Sequence, residues 1–162
     1  MGAQSNYSFS TPIGQAGGIY DLAPYEVDAF NNESNDGVVK FGMGVVQGTA
    51  AGKQVKAPVS GSTAAVFEGI VTNRRTTENA IDGGVAVKKG ATLGVMRYGR
   101  IFGLLATSVT PTYGAAVYMV KSGDDAGCFT TSSDGTIAIK GRFLSGASDG
   151  IALIELFHQS QS

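Results

Sequence analysis

The sequence predicts an all-β fold: a compact antiparallel β-barrel or sandwich preceded by an extended N-terminal arm. Three observations lead there. Short β-branched and aromatic runs recur from Val38 onward, separated by turns of Gly, Asp and Ser. Gly supplies 24 of the 162 residues, which suits a chain of many tight turns. No window carries a convincing helical stripe, and only residues 76–81 have room for one helical turn.

The organisation follows in chain order. Through residues 1–37 the apolar side chains stand singly, as at Tyr7, Phe9, Ile13, Ile19, Tyr20, Leu22, Tyr25, Val27 and Phe30. Pro12 and Pro24 bias the residues before them away from helix. So many aromatics are foreign to a disordered tail. The stretch reads either as an irregular segment wrapped over its own core or as an arm that packs on another chain, and the overlap between the two readings falls on Ile19 to Val27. Residues 38–157 read as the β body, and residues 158–162 as a polar tail.

Within the body, VVKFGMGVVQG from Val38 reads as a strand that its glycines bend or bulge. Gln54 to Ala57 alternates weakly, and VFEGIV from Val66 reads as a buried strand. VAVKKG from Val85, LGVMRYG from Leu93 and RIFGLLA from Arg100 read as three more, the last two joined by a basic, Gly-containing turn. AVYMVK from Ala116 runs into the turn Ser122-Gly123-Asp124-Asp125, and CFT follows from Cys128. TIAIKGRFL from Thr136 places Ile137, Ile139 and Phe143 on one face and Lys140 and Arg142 on the other. IALIELF from Ile151 is apolar on both faces except at Glu155, as a central or interface strand would be.

Composition narrows the function. Twelve Lys and Arg against thirteen Asp and Glu leave a net charge of -1, without the basic footprint of a nucleic-acid binder. Met1 to Ser10 lacks the charge and apolar run of a secretory leader, and no stretch approaches a membrane helix. One Cys and one His, in distant segments, are poor material for a metal site or a disulfide. A cytosolic product without cofactor, metal, membrane or nucleic-acid partner is expected.

Motifs for catalysis fail on context. Gly146-Ala147-Ser148-Asp149-Gly150 matches G-x-S-x-G, but a nucleophile elbow needs a strand before it and a helix after it. Strand patterns flank it here, so a hairpin turn is expected, and the one available base is His158 in the tail. Gly48 to Gln54 falls one residue short of a phosphate loop and has Gln54 in place of the hydroxyl. Gly42-Met43-Gly44 breaks the dinucleotide pattern at its third glycine. No enzyme is predicted.

The order of the motifs carries a resemblance. An arm with Gly17-Gly18-Ile19-Tyr20-Asp21 and Pro24-Tyr25 is followed by Lys40-Phe41-Gly42 with Val45-Val46 behind it, GTAAGKQVKAP from Gly48 and FEGIV from Phe67. Then come Met96-Arg97-Tyr98-Gly99-Arg100-Ile101, Gly114 with Val117-Tyr118, Gly127-Cys128-Phe129-Thr130, and IKGRFLSGASDGIALIEL from Ile139. In this order the chain resembles the structural cement, or capsid decoration, proteins of tailed bacteriophages. It departs from them at the glycine-rich Asp82-Gly83-Gly84.

The resemblance implies a non-enzymatic virion protein, made in the host cytoplasm and bound as a homo-trimer to the outer surface of a mature icosahedral shell. Its partner would be the major capsid protein, whose subunits it would bridge. Tyr7, Phe9, Ile13, Tyr20 and Tyr25 are the expected arm anchors, because large rings bury the most area per ordered residue. The competing expectations are a receptor- or carbohydrate-binding β module of a virion and a tail or connector subunit. A carbohydrate module would need loop aromatics, and the chain has no Trp.

Overall fold

The structure is a computed structural model and describes residues 14–21, 23–73 and 87–158. Among these, regular structure is β with a single 3-10 turn, Ala64–Val66. The strands are β1 (Glu26–Asn32), β2 (Gly44–Gln47), β3 (Gln54–Lys56), β4 (Phe67–Val71), β5 (Thr92–Leu104), β6 (Ala116–Val120), β7 (Phe129–Thr130), β8 (Thr136–Phe143) and β9 (Ile151–Leu156).

They form two closed or nearly closed sheets that share β5. In the first, β1, β3, β2, β4 and the front of β5 pair in a ring, closed by β1 against β5, to give a five-stranded barrel. In the second, the back of β5 pairs with β9, then β8, β6 and β7. A bridge from Leu105 to Phe129 brings the far edge of that sheet back toward β5. Closure of this kind removes the exposed strand edges that invite aggregation.

Alternation along the strands sorts the apolar side chains into three clusters. Phe30, Val45, Val55, Val71, Leu93 and Val95 fill the barrel. Met96, Ile101, Met119, Phe129, Phe143 and Ile154 belong to the larger core between the barrel wall and the inner face of the second sheet. Phe102, Ile151 and Leu153 make a smaller cluster on the outer face of that sheet, with Ala16 packed against it.

Two glycines let the barrel and the second sheet approach. A β-carbon at Gly103 would lie 2.5 Å from Ile154 Cδ1 and 2.9 Å from Phe129 Cδ2, and one at Gly44 would lie 3.0 Å from Phe129 Cζ. The Phe129 ring therefore sits between Gly44 of the barrel and Gly103 of β5, completely buried. A bend or bulge was expected from the glycines of the run from Val38, and β2 does shift register between Val45 and Val46; Gly44 serves close packing as well.

Several expectations are corrected. LGVMRYG and RIFGLLA form one strand of 13 residues, β5, with no turn between them. The strand is long because it serves two sheets in succession, and Gly99, at φ 126°, lies where it passes from one to the other. Residues 38–43 are turns, so the strand expected from Val38 begins only at Gly44. Val87 and Lys88 lie outside any strand, and Val85, Ala86 and residues 76–81 fall outside the described residues.

Part of the stretch 1–37 is regular structure. β1 lies inside that stretch and is a wall of the barrel, paired with both β3 and β5. Its inward positions include Asn32, 1% exposed, whose Nδ2 donates to the Lys88 carbonyl at 3.0 Å and whose Oδ1 accepts from Ser34 N–H at 3.0 Å. A polar residue buried this way needs such partners, and its presence erases the apolar alternation that betrays a strand.

Ahead of β1, residues 17–20 lie along the back of β5. Gly17 N–H donates to Phe102 O at 2.7 Å, Phe102 N–H to Gly18 O at 3.0 Å, and Tyr20 N–H to Arg100 O at 3.1 Å. The segment 14–20 is thus a strap along the edge of β5 opposite β9, with Gly14 and Ala16 against the Phe102 cluster.

Candidate binding surface

The outer face of the second sheet is built in cross-strand rows. Arg100 of β5 pairs with Glu155 of β9, and Glu155 pairs in turn with Arg142 of β8. Their side chains share that face, with Arg100 Nε 3.8 Å and Arg142 Nη2 3.5 Å from Glu155 Oε2. Asp21, at the end of the strap, closes the row on the other side of Arg100. Two carboxylates and two guanidinium groups leave the row neutral.

Aromatic rings surround it. Tyr20 meets Phe102 edge-on, centroids 5.9 Å apart, and keeps 52% of its surface exposed. The Arg142 guanidinium lies 5.6 Å from the centre of the Tyr113 ring, which is 70% exposed. Toward the end of β9, His158 stacks on Tyr98 at 4.1 Å and 6°, and Phe157 is 43% exposed. His158, the first residue of the expected polar tail, therefore packs on β5.

Of the expected arm anchors, Tyr7, Phe9 and Ile13 fall outside the described residues. Tyr20 belongs to the strap. Tyr25 precedes β1, is 48% exposed, and has its Cβ against Gly99. Ile19 bridges to Ile101 and Val27 packs on the main core, so the overlap segment serves its own body while presenting two tyrosine rings outward. The row of Arg100, Glu155 and Arg142 was missed as a site, although Glu155 as the lone charge in an apolar strand was its signal.

A second polar place is the mouth of the barrel, an open cavity of about 460 Å³ lined by Asp28, Gln47, Glu68 and Arg97 among others. Arg97 forks between Asp28 at 3.3 Å and Glu68 at 3.7 Å. Burial pushes the Glu68 carboxyl above its ordinary pKa, against the pull of Arg97 and with a further push from Asp28. Burial likewise raises the Cys128 thiol, and the nearby Asp125 adds to it.

Ser148 occupies a tight hairpin between β8 and β9. Its N–H donates to Ile151 O at 2.9 Å and Ile151 N–H returns to Ser148 O at 3.1 Å, with Asp149 and Gly150 both at positive φ. Those are the features of a two-residue type I′ turn. Ser148 and His158 sit beyond opposite ends of β9. No three His, Cys, Asp or Glu side chains among the described residues are grouped to hold a metal ion.

Comparison with known proteins gives two findings. Residues 3–157 match the family described as structural cement protein (E217 gp24/Pam3 gp6). A chain from the capsid of Myoviridae phage XM1 has the same fold, with a TM-score of 0.74 at 19% identity over 96% of this chain and 98% of that one. No curated protein matches.

Proposed function

This chain belongs to the structural cement protein family, and on that premise we propose that it decorates the outer surface of a mature phage shell and bridges neighbouring major capsid protein subunits. The observation that carries the reading is the extent of the family match, which takes in the N-terminal segment together with the whole β body. Membership makes it a structural protein of the phage particle; the outer surface, the bridging and the homo-trimer are our reading.

The action is mechanical and thermodynamic, with no chemical step. A ligand that binds only the mature shell stabilises it by mass action. Three weak contacts carried on one trimer reinforce one another through effective concentration. Tyr7, Phe9 and Ile13, upstream of the strap, and the exposed rings of Tyr20 and Tyr25 supply the anchors. The strap supports this division: it ties the start of the body to β5, so tension on residues 1–13 is delivered into a strand shared by both sheets.

Cosedimentation with purified mature shells tests the reading. The full chain pellets with shells, and a chain beginning at Gly14 does so at least about tenfold more weakly, as loss of several aromatic anchors requires. Equal binding by both would remove the arm from the account, and absence of binding by the full chain would remove the decoration reading itself.

A further inference from the structure

We propose that the outer face of the second sheet is the surface of the body that seats on the shell protein. The inference rests on the decoration reading and adds to it the face by which the body docks.

Three observations converge on this face. Tyr113, Tyr20 and Phe157, three of the seven large apolar side chains that stand exposed among the described residues, lie on it or at its rim. Contiguous exposed apolar surface marks a place for a partner.

The charges between these rings fix what kind of partner. Asp21, Arg100, Glu155 and Arg142 neutralise one another along the row, so that with Lys140 on the same side of β8 the face lacks the cluster of basic groups that phosphate or anionic headgroups need. Each charge keeps its partner when water is displaced, which lowers the cost of covering the row with protein. The Arg142 Nε is buried and meets no acceptor among the described residues. A folded protein surface with apolar contacts and a few carbonyl acceptors fits; a polyanion does not.

The chain path says which protein. Gly14 lies directly against the Phe102 ring, so residues 1–13 join the body at this face. Extended at about 3.3 Å per residue they span roughly 40 Å. A shell subunit that holds Ile13, next to that root, is therefore brought to this sheet first, and Tyr7 and Phe9 lie within reach beyond it.

Hydroxyl-radical footprinting of the full chain, free and bound to purified mature shells, reads the answer on the exposed side chains. Labelling of Tyr113 and Phe157 is expected to fall severalfold on binding, while Val38 and Val59, exposed on the barrel loops, stay unchanged. The double variant Tyr113→Ser/Phe157→Ser, with its thermal unfolding recorded to show that it folds, is expected to bind shells about tenfold or more weakly. Protection of Val38 and Val59 instead would overturn this face and leave the decoration reading intact. Protection of Tyr113 and Phe157 that grows with protein concentration in the absence of shells would assign the face to a second copy and overturn the inference. A full chain that binds no shell at all would overturn both.

Discussion

The Asp21 carboxylate lies 3.0 Å from the Arg100 guanidinium, and that contact joins the end of the N-terminal strap to β5, the strand that both sheets share. Backbone pairing at Gly17, Gly18 and Tyr20 holds the rest of the strap to the same strand. Both charged groups are partly exposed, so the ion pair itself contributes at most about 1 kcal/mol. Its structural effect is to fix where the strap ends and the loop toward β1 begins.

A chain that begins at Gly37 is expected not to fold, in contrast to one that begins at Gly14. The longer cut removes β1, which opens the barrel between β3 and β5 and strips Phe30 from its interior. Loss of Phe30 alone corresponds to about 3–5 kcal/mol, comparable with the whole stability of many domains. Circular dichroism during heating checks it: a cooperative transition for the Gly14 chain and none for the Gly37 chain.

The contact between the barrel and the second sheet is expected to be intolerant at Phe129 and Gly103. Phe129→Ala leaves a cavity in a completely buried place and costs about 3–5 kcal/mol. Gly103→Ala presses a methyl group toward Ile154 and Phe129 and costs about 1–3 kcal/mol. Denaturant midpoints with unchanged slope are the measurement, and a neutral Gly103→Ala would show that the two layers part easily.

Two glutamates are expected to give opposite pH dependence. Thr49 donates both its N–H, at 2.5 Å, and its hydroxyl, at 2.7 Å, to Glu33, and these bonds hold its carboxyl below the ordinary value. The stability they contribute is present above the ordinary glutamate pKa and is lost as pH falls through the lowered one. Glu68 is raised by burial, so its favourable contribution is present below the ordinary pKa and is lost as pH rises through the raised one. In melting series from pH 3 to 7, Glu33→Gln should fall progressively behind the native chain as pH rises, and Glu68→Gln should gain on it.

Attachment to shells is expected to weaken little with salt. The net charge is -1 and the charged row on the proposed docking face is internally paired, so apolar burial dominates over long-range attraction. Binding isotherms at low and moderate ionic strength decide it; an affinity that collapsed between them would mean that ion pairs hold the protein on the shell.

Strands facing a wholly apolar layer were legible from the residues alone. β8 showed Ile137, Ile139 and Phe143 on one side, and β9 read as a central strand because both its faces are apolar; it does lie between β5 and β8. The hairpin at Ser148 was legible because Asp149-Gly150 is turn chemistry flanked by strands. β1 was not, since Asn32 is buried with a partner far along the chain, Lys88, and Asp28 stands at the open mouth of the barrel beside Arg97. Nor was the union of two runs into β5, because the residues around Gly99 have the composition of a turn and only pairing with β1 and β9 keeps them extended.

The sequence by itself determined the all-β class, the family and the absence of a basic footprint, because periodicity, motif order and charge balance are local or additive properties of the chain. Tertiary structure alone decided that β1 pairs with β3 and β5, that β5 serves two sheets, and that Arg100, Glu155 and Arg142 stand in one row. Each of those depends on which distant backbone supplies a strand with its hydrogen-bond partners, and that choice is made only when the layers close on one another.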